Sequence, residues 1–365
     1  MIKAIHVITD MKIGGAGKWL LNLLRNYDRS KLDMIIAVPE GSMIKAEIDE
    51  LGIRTIEIKG IGDKSLDMNS INAFYKLFRV EKPQIVHTHA SLSARVAAKL
   101  VGIKAIIHTK HCMDSTKTGI KKLISASINK QLSSKIIAVS KAVRQNLLEA
   151  GIPDTMIRVI YGGVDKLEKL SLEEINEIKR AYGIGEKDLV YGVVARLAEV
   201  KGHKYLIEAA ELVLKHNSNI KFVIAGTGPL EVQLKQRVVE KGLEQSFVFT
   251  GFIRDIGRIY NILDVNMICS VSEALCLSLI EGMSIGKPMI GSDVGGVPEV
   301  IKHMETGLLV QPRNPEELAK AILKLAEDDE LRNTMGENAV KLIQEKFSAS
   351  VMAKDILELY YEVVR

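Results

Sequence analysis

Short apolar runs alternate with amphipathic stretches along the whole chain. In the first half the runs fall at 4–9, 33–38, 54–58, 84–88, 105–109, 135–139 and 157–160. Each predicts a short strand, and apolar positions recur at helical spacing between them, over 18–26, 69–80, 91–101 and 140–150. A second series of runs occupies 189–195, 221–225, 247–250, 265–269, 288–291 and 308–310. A polar, charged segment at 165–188, with a helical core at 172–182, separates the two series and reads as the connection. Strands alternating with helices predict βαβ units and parallel sheets. The expected class is therefore α/β, with two doubly wound domains that bind ligands at the carboxyl ends of their strands.

The length supports that division, because 365 residues are more than one core usually holds. No run of 18 apolar residues is present, so no spanning helix is expected. Residues 1–9 read as a strand and not as a secretory signal. Cys112, Cys269 and Cys276 lack zinc or redox spacing, and a reduced, cytoplasmic protein is the simplest reading. The net charge of +5 hides an asymmetry. Residues 1–165 carry 25 Lys and Arg against 15 Asp and Glu, whereas the remainder is acidic. Between Arg95 and Arg144, nine lysines (among them Lys117, Lys121, Lys122 and Lys130) face the single acid Asp114. By charge alone such a face suits anionic lipid, a polyanionic acceptor or nucleic acid, or is simply a solvated surface.

The densest chemistry lies in Ser272-Glu273-Ala274-Leu275-Cys276-Leu277-Ser278-Leu279-Ile280-Glu281-Gly282-Met283, followed by Gly286-Lys287-Pro288 and Asp293-Val294-Gly295-Gly296-Val297-Pro298-Glu299. Glu273 precedes a predicted helix and Glu281 lies inside it. The free backbone N–H groups of a loop entering a helix suit a diphosphate. Carboxylates accept hydrogen bonds from neighbouring sugar hydroxyls. Together they suggest a nucleotide-sugar. Upstream, Arg196 and Lys201 in Ala195-Arg196-Leu197-Ala198-Glu199-Val200-Lys201-Gly202 place two cations after a strand, where they can neutralise phosphate. Gly14-Gly15-Ala16-Gly17 lets backbone approach a phosphate or sugar closely, but the dinucleotide fingerprint G-x-G-x-x-G is absent.

These motifs resemble the E-x7-E signature, the G-R-L-x-x-x-K-G segment and the D-V-G-G-V-P-E tail of retaining glycosyltransferase family 4, over nearly the whole chain. The resemblance implies the GT-B fold, with two Rossmann-like domains facing a cleft. An N-terminal acceptor-binding domain, 1–165, would be completed by a crossover helix at 350–365. A donor-binding domain would cover 166–349. The implied activity is transfer of a sugar from a nucleotide-sugar, with a UDP-sugar the expected donor, to a glycan, lipid-linked or polysaccharide acceptor of cell-envelope or exopolysaccharide synthesis, with retention and without a metal or other cofactor. Arg196 and Lys201 would take the diphosphate, Glu281 the ribose and Glu273 the donor sugar. Gly14, Gly15, Ala274, Leu275, Cys276 and Leu277 would line the donor site, and Phe252 and Ile253 would lie by the base. His111 matches the T-x-H-G histidine that contacts the transferred sugar. The expected partners are the donor, the acceptor and an anionic membrane surface reached from the cytoplasm by the basic domain, with no nucleic acid.

The chain departs from the family pattern at Gly17, where an acidic residue is usual, and at Cys112, where Gly is. Gly162 stands for Asn, and Ala274-Leu275-Cys276 for Gly-Phe-Gly. Tyr161-Gly162-Gly163-Val164-Asp165 resembles the family's N-G-V/I-D turn and is expected at the domain hinge. His87, His89, His108 and His111 invite a metal reading, but no cysteine or carboxylate completes a familiar ligand set. The rival functions are a non-catalytic nucleotide-sugar binder, a nucleotide-sugar 2-epimerase of the same fold, and a glycosidase using Glu273 and Glu281.

Overall fold

The first series of runs forms a parallel sheet of seven strands: β1 (Ile2–Ile8), β2 (Leu32–Pro39), β3 (Thr55–Ile58), β4 (Ile85–His89), β5 (Ala105–Lys110), β6 (Lys135–Ala138) and β7 (Ile157–Val159). The computed structural model describes residues 1–61, 66–113 and 119–365, except for the side chains of residues 120 and 121. Strand order is β3-β2-β1-β4-β5-β6-β7. Helices cover the sheet, so β1 and β4 are buried almost throughout and need apolar or internally paired side chains at every position. The register sets His6 beside His87 and Ile8 beside His89.

The second series forms a separate six-stranded parallel sheet: β8 (Leu189–Val194), β9 (Ile220–Ala225), β10 (Phe247–Gly251), β11 (Val265–Ile268), β12 (Met289–Ser292) and β13 (Gly307–Val310). Its order is β10-β9-β8-β11-β12-β13. The chain divides into two compact units, residues 1–163 with 347–365, and residues 164–346. The polar segment at 165–188 is not a free linker. Its helix Leu172–Ala181 buries Ile178, which packs with Ile184, Ile259 and Tyr260 in the core of the second unit.

The first crossing between units falls at Gly163, within the turn at 161–165 expected at the hinge. A Cβ there would lie 2.3 Å from the Ser348 carbonyl, so the two crossings run together only because Gly163 has no side chain. The second crossing is a π-helical turn, Ile343–Phe347. It feeds the terminal helix Ala349–Val364, whose N-cap Ser348 accepts from the Val351 N–H. Such a cap contributes about 1 kcal/mol. The terminal helix buries Met352, Ile356, Leu359 and Tyr360 in the first unit.

Candidate active site

The second sheet changes winding direction between β8 and β11, with β9 and β10 on one side and β12 and β13 on the other. Loops leaving two such strands diverge and leave a crevice at the carboxyl edge. Arg196 follows β8 and Glu273 follows β11. Lys201 ends the 3-10 turn Glu199–Lys201 and joins the two loops. Its Nζ donates to Glu273 Oε1 at 2.5 Å, and Ser270 Oγ donates to the same oxygen at 2.6 Å. The Val271 N–H also donates to the Val200 carbonyl at 2.8 Å. On the other side of the Glu273 loop, the Gly296 N–H reaches the Glu273 carbonyl at 3.2 Å. Gly295, with φ 51°, approaches so closely that a Cβ would fall 1.8 Å from that carbonyl. The two glycines of the D-V-G-G-V-P-E segment therefore clamp the glutamate loop.

Glu273 is 8% exposed, so its charge depends on Lys201 and Ser270. Burial is the largest single effect and would lower the pKa of the Lys201 ammonium, but the charge of Glu273, the nearby Cys276 and the hydrogen bond to Glu273 together leave it raised. The lysine is thus held as a cation. Arg196 is exposed, and no ion pair engages it among the described residues.

Glu281 lies in the short helix Leu277–Met283, where its buried carboxylate accepts from Tyr260 Oη at 2.7 Å. Burial, then the charge of Glu281, pushes the Tyr260 phenol well above its usual range, so it stays a donor. Ala274 is half-buried, and Leu275 and Cys276 are buried between the two glutamates. Leu277 opens the helix. Phe252 and Ile253 follow β10, two strands away from β8. Phe252 is exposed, and the Gly226 N–H ties this loop to the preceding one by donating to the Gly251 carbonyl at 2.9 Å. The structure thus joins Lys201 and Glu273 directly, while Arg196, Glu281 and Phe252 come from separate positions around the same sheet edge. Ser270 and Tyr260 were not expected. Ser270, three residues before Glu273, carries a weak capping-like signal, and Tyr260 carries none.

In the first unit the winding changes between β1 and β4. Gly14 and Gly15 open the helix Gly15–Asn26. No atom lies within 4 Å of a Cβ built on either, so the space beside them is open. Gly17 differs, since its Cβ would meet Ile44 at 3.3 Å. Gly17, which departs from the resembled family pattern, is here a packing position.

His111 follows β5, and its Nε2 lies 2.8 Å from His89 Nδ1. His87 and His89 share one face of β4, as expected of a regular strand. The fourth member of their group is not His108 but His6, from the neighbouring strand. His108 faces the other way, with Nδ1 3.4 Å from the Thr88 carbonyl. Trp19 packs its ring edge-on against His111 at 5.5 Å. Burial holds His6 and His111 near pKa 3, with Lys110 adding to the effect at His111, and pushes His87 and His89 well below the usual value. Nitrogens of His6, His87 and His89 lie within 4.8 Å of one another, a spacing that one metal ion could span. Yet all three rings engage both nitrogens in hydrogen bonds with one another, with His111, or with the hydroxyls of Tyr360 and Thr109.

The family described as Glycosyltransferase Family 4 matches residues 13–166, and Glycosyl transferases group 1 matches residues 174–342. An uncharacterized glycosyltransferase of Methanocaldococcus jannaschii is 30% identical over 297 residues, 77% of this chain and 76% of that protein. The chain belongs to glycosyltransferase family 4. Another relative, 29% identical over 82% of this chain and 80% of its own, is the Escherichia coli UDP-Gal:alpha-D-GlcNAc-diphosphoundecaprenol alpha-1,3-galactosyltransferase. The crystal structure of Anabaena HepE with UDP and glucose superimposes with a TM-score of 0.87 at 21% identity, over 99% of this chain and 100% of that one. The two units are thus those of the GT-B fold, and the protein is a glycosyltransferase.

One departure of this family 4 glycosyltransferase from the usual pattern has a physical consequence. Cys276 caps the helix Leu277–Met283 at φ 76°, in the left-handed region that the usual glycine occupies without strain. Its thiol is pushed up to about 11 by burial and then by Glu273, so it stays protonated, with Sγ 3.3 Å from Ser278 Oγ. Cys276→Gly should be more stable than Cys276→Ala by about 1 kcal/mol, because both lose the sulfur but only alanine keeps a Cβ in this conformation. Urea denaturation checks the order. An alanine variant as stable as the glycine variant would mean that the backbone here is unstrained.

Proposed function

We propose that the protein transfers a sugar, with retention, from a UDP-sugar to a glycan or lipid-linked acceptor of polysaccharide or cell-envelope assembly. The observation that carries the reading is the Lys201–Glu273 pair at the β8/β11 switch point, beside the exposed Arg196. HepE, the structural neighbour, was crystallised with UDP and with UDP-glucose, and the Escherichia coli relative is named for a UDP-Gal donor and a lipid-diphosphate acceptor. Arg196 and Lys201 neutralise the leaving diphosphate, aided by the backbone N–H groups around Cys276 and Leu277. Fixed cations of this kind stabilise charge as it develops. Glu281 holds ribose hydroxyls, Glu273 holds hydroxyls of the donor sugar, and His111 contacts that sugar. The C1–O bond to phosphate breaks as the acceptor oxygen bonds C1 from the same face. The acceptor proton passes to the departing phosphate oxygen.

With two protein cations on the diphosphate, the reaction is expected to need no divalent metal. A thermal-shift panel of UDP-, GDP- and ADP-sugars should show its largest rise with a UDP-sugar, since a ligand of the native state stabilises by mass action. Turnover of that donor should persist in excess EDTA. Activity lost in EDTA and regained with Mg²⁺ or Mn²⁺ would contradict the cation assignment. Tight binding without turnover would favour a non-catalytic binder.

The acceptor is reached from an anionic membrane surface. Lys117 lies outside the described residues, and so does the side chain of Lys121. The neighbouring helix Gly119–Leu132 exposes Leu123, Ile124 and Ile128 together with Lys130. Exposed apolar side chains beside cations support interfacial docking, with each cation contributing on the order of 1 kcal/mol. No helix among the described residues is long and apolar enough to cross a membrane. The protein should co-sediment with vesicles containing anionic lipid at low salt, and Leu123→Glu with Ile124→Glu should abolish this while sparing donor hydrolysis. A parent protein that ignores such vesicles would point to a soluble acceptor.

A further inference from the structure

Buried His6, His87 and His89 and half-buried His111 form one unbranched hydrogen-bond chain with Thr109 and Tyr360. Thr109 Oγ1 lies 2.6 Å from His87 Nε2, and His87 Nδ1 lies 2.7 Å from Tyr360 Oη. Tyr360 Oη lies 2.7 Å from His6 Nε2, and His6 Nδ1 lies 3.1 Å from His89 Nε2. His89 Nδ1 then meets His111 Nε2 at 2.8 Å, which leaves His111 Nδ1 as the end of the chain, without a partner among the described residues. The residues come from β1, β4, β5, the loop after β5 and the terminal helix, so only the folded unit assembles them.

A neutral imidazole has one N–H and one lone pair, and a hydroxyl has one proton to give. Each link holds a single proton, so the links all run in the same direction. In one direction all four histidines carry the proton on Nε2; in the other, all four carry it on Nδ1. Thr109 selects between them. It is 1% exposed, and among the described residues its hydroxyl has only His87 Nε2 as a partner. A buried hydroxyl proton needs an acceptor, so Thr109 donates to His87 Nε2. His87 Nδ1–H then donates to Tyr360, Tyr360 to His6 Nε2, His6 Nδ1–H to His89 Nε2, and His89 Nδ1–H to His111 Nε2.

We propose that Thr109, Tyr360, His87, His6 and His89 are positioning residues that hold His111 in its Nδ1–H tautomer, so that it presents a fixed hydrogen-bond donor to an oxygen of the substrate. The role of His111 at the substrate rests on the function proposed above; the direction of the chain does not. The low pKa values of these buried rings keep them neutral over the working range, as the chain requires. The chain also argues against a metal at His6, His87 and His89, because an ion would need lone pairs that the links already use.

The test uses full-length protein labelled with ¹⁵N-histidine, with each ring assigned by its own His→Gln variant. Two-bond ¹H–¹⁵N correlations read the tautomer of each ring without substrate. His6, His87, His89 and His111 should all be Nδ1–H. Thr109→Val should leave His111 as a mixture of tautomers and lower kcat about tenfold with little change in donor KM, the scale of one hydrogen bond. Thr109→Ser should restore both. Any of the four rings found as Nε2–H in the parent protein overturns the proposal, as does one equivalent of bound zinc by elemental analysis. The parent spectrum decides this even if a variant fails to fold. If His111→Ala turns over the donor at the parent rate, the substrate role of His111 is wrong, a result distinguishable from any failure of the tautomer pattern.

Discussion

Lys201→Met should lower donor turnover by roughly 10²–10³-fold, the range seen when one preorganised stabiliser of transition-state charge is removed. The same change strips the buried Glu273 of its cation, leaving Ser270 as the one side chain bonded to the carboxylate among the described residues. Breaking such a pair costs about 3 kcal/mol of stability, toward the low end for buried pairs because the lysine is a quarter exposed. The two effects separate in the double variant Lys201→Met with Glu273→Gln. A neutral amide no longer needs the cation, so stability should largely return, whereas activity should not. If both cations serve one diphosphate, as proposed, adding Arg196→Ala to Lys201→Met should cost less than the sum of the single losses. Urea titration and steady-state kinetics on the same samples make the comparison. A double variant that regains activity together with stability would show Lys201 to be structural.

Glu281→Ala should weaken UDP binding by roughly 10- to 150-fold, the equivalent of about 1.5–3 kcal/mol for a charged hydrogen bond. The carboxylate is buried, and Tyr260 Oη donates to one of its oxygens at 2.7 Å, which helps to orient it. Tyr260→Phe removes only the orienting bond and should cost a smaller factor in the same titration. Calorimetry with UDP reads both. An unchanged Kd for Glu281→Ala would remove this residue from the nucleotide site.

Much of the fold was legible because parallel strands buried on both faces must be near-continuous apolar runs, and those runs stand out between charged helices. The two-unit α/β architecture and the loops carrying Arg196, Lys201 and Glu273 follow from that pattern. Partners set by tertiary packing were not legible. Tyr260 reaches Glu281 from a preceding helix. Gly295 is defined by a backbone approach that no local pattern encodes. His6 lies 81 positions before His87 and becomes its neighbour only through the β1–β4 register. Tyr360 bonds it from near the other end of the chain. Sequence proximity therefore grouped His108 with the wrong histidines. The segment at 165–188 looked like a linker because its exposed face is charged, although Ile178 and Ile184 anchor it in the core of the second unit.

The anomer first released from the preferred donor tests the central claim most directly. Without an acceptor, water takes its place at C1, and ¹H NMR distinguishes the newly formed sugar before mutarotation mixes the anomers. With UDP-α-glucose, or whichever UDP-sugar stabilises the protein most, retention predicts an α-H1 doublet appearing first, in step with UDP. A first-formed β anomer would contradict the retaining assignment, and no release of sugar under saturating donor would contradict the glycosyl-transfer reading of the Lys201–Glu273 site.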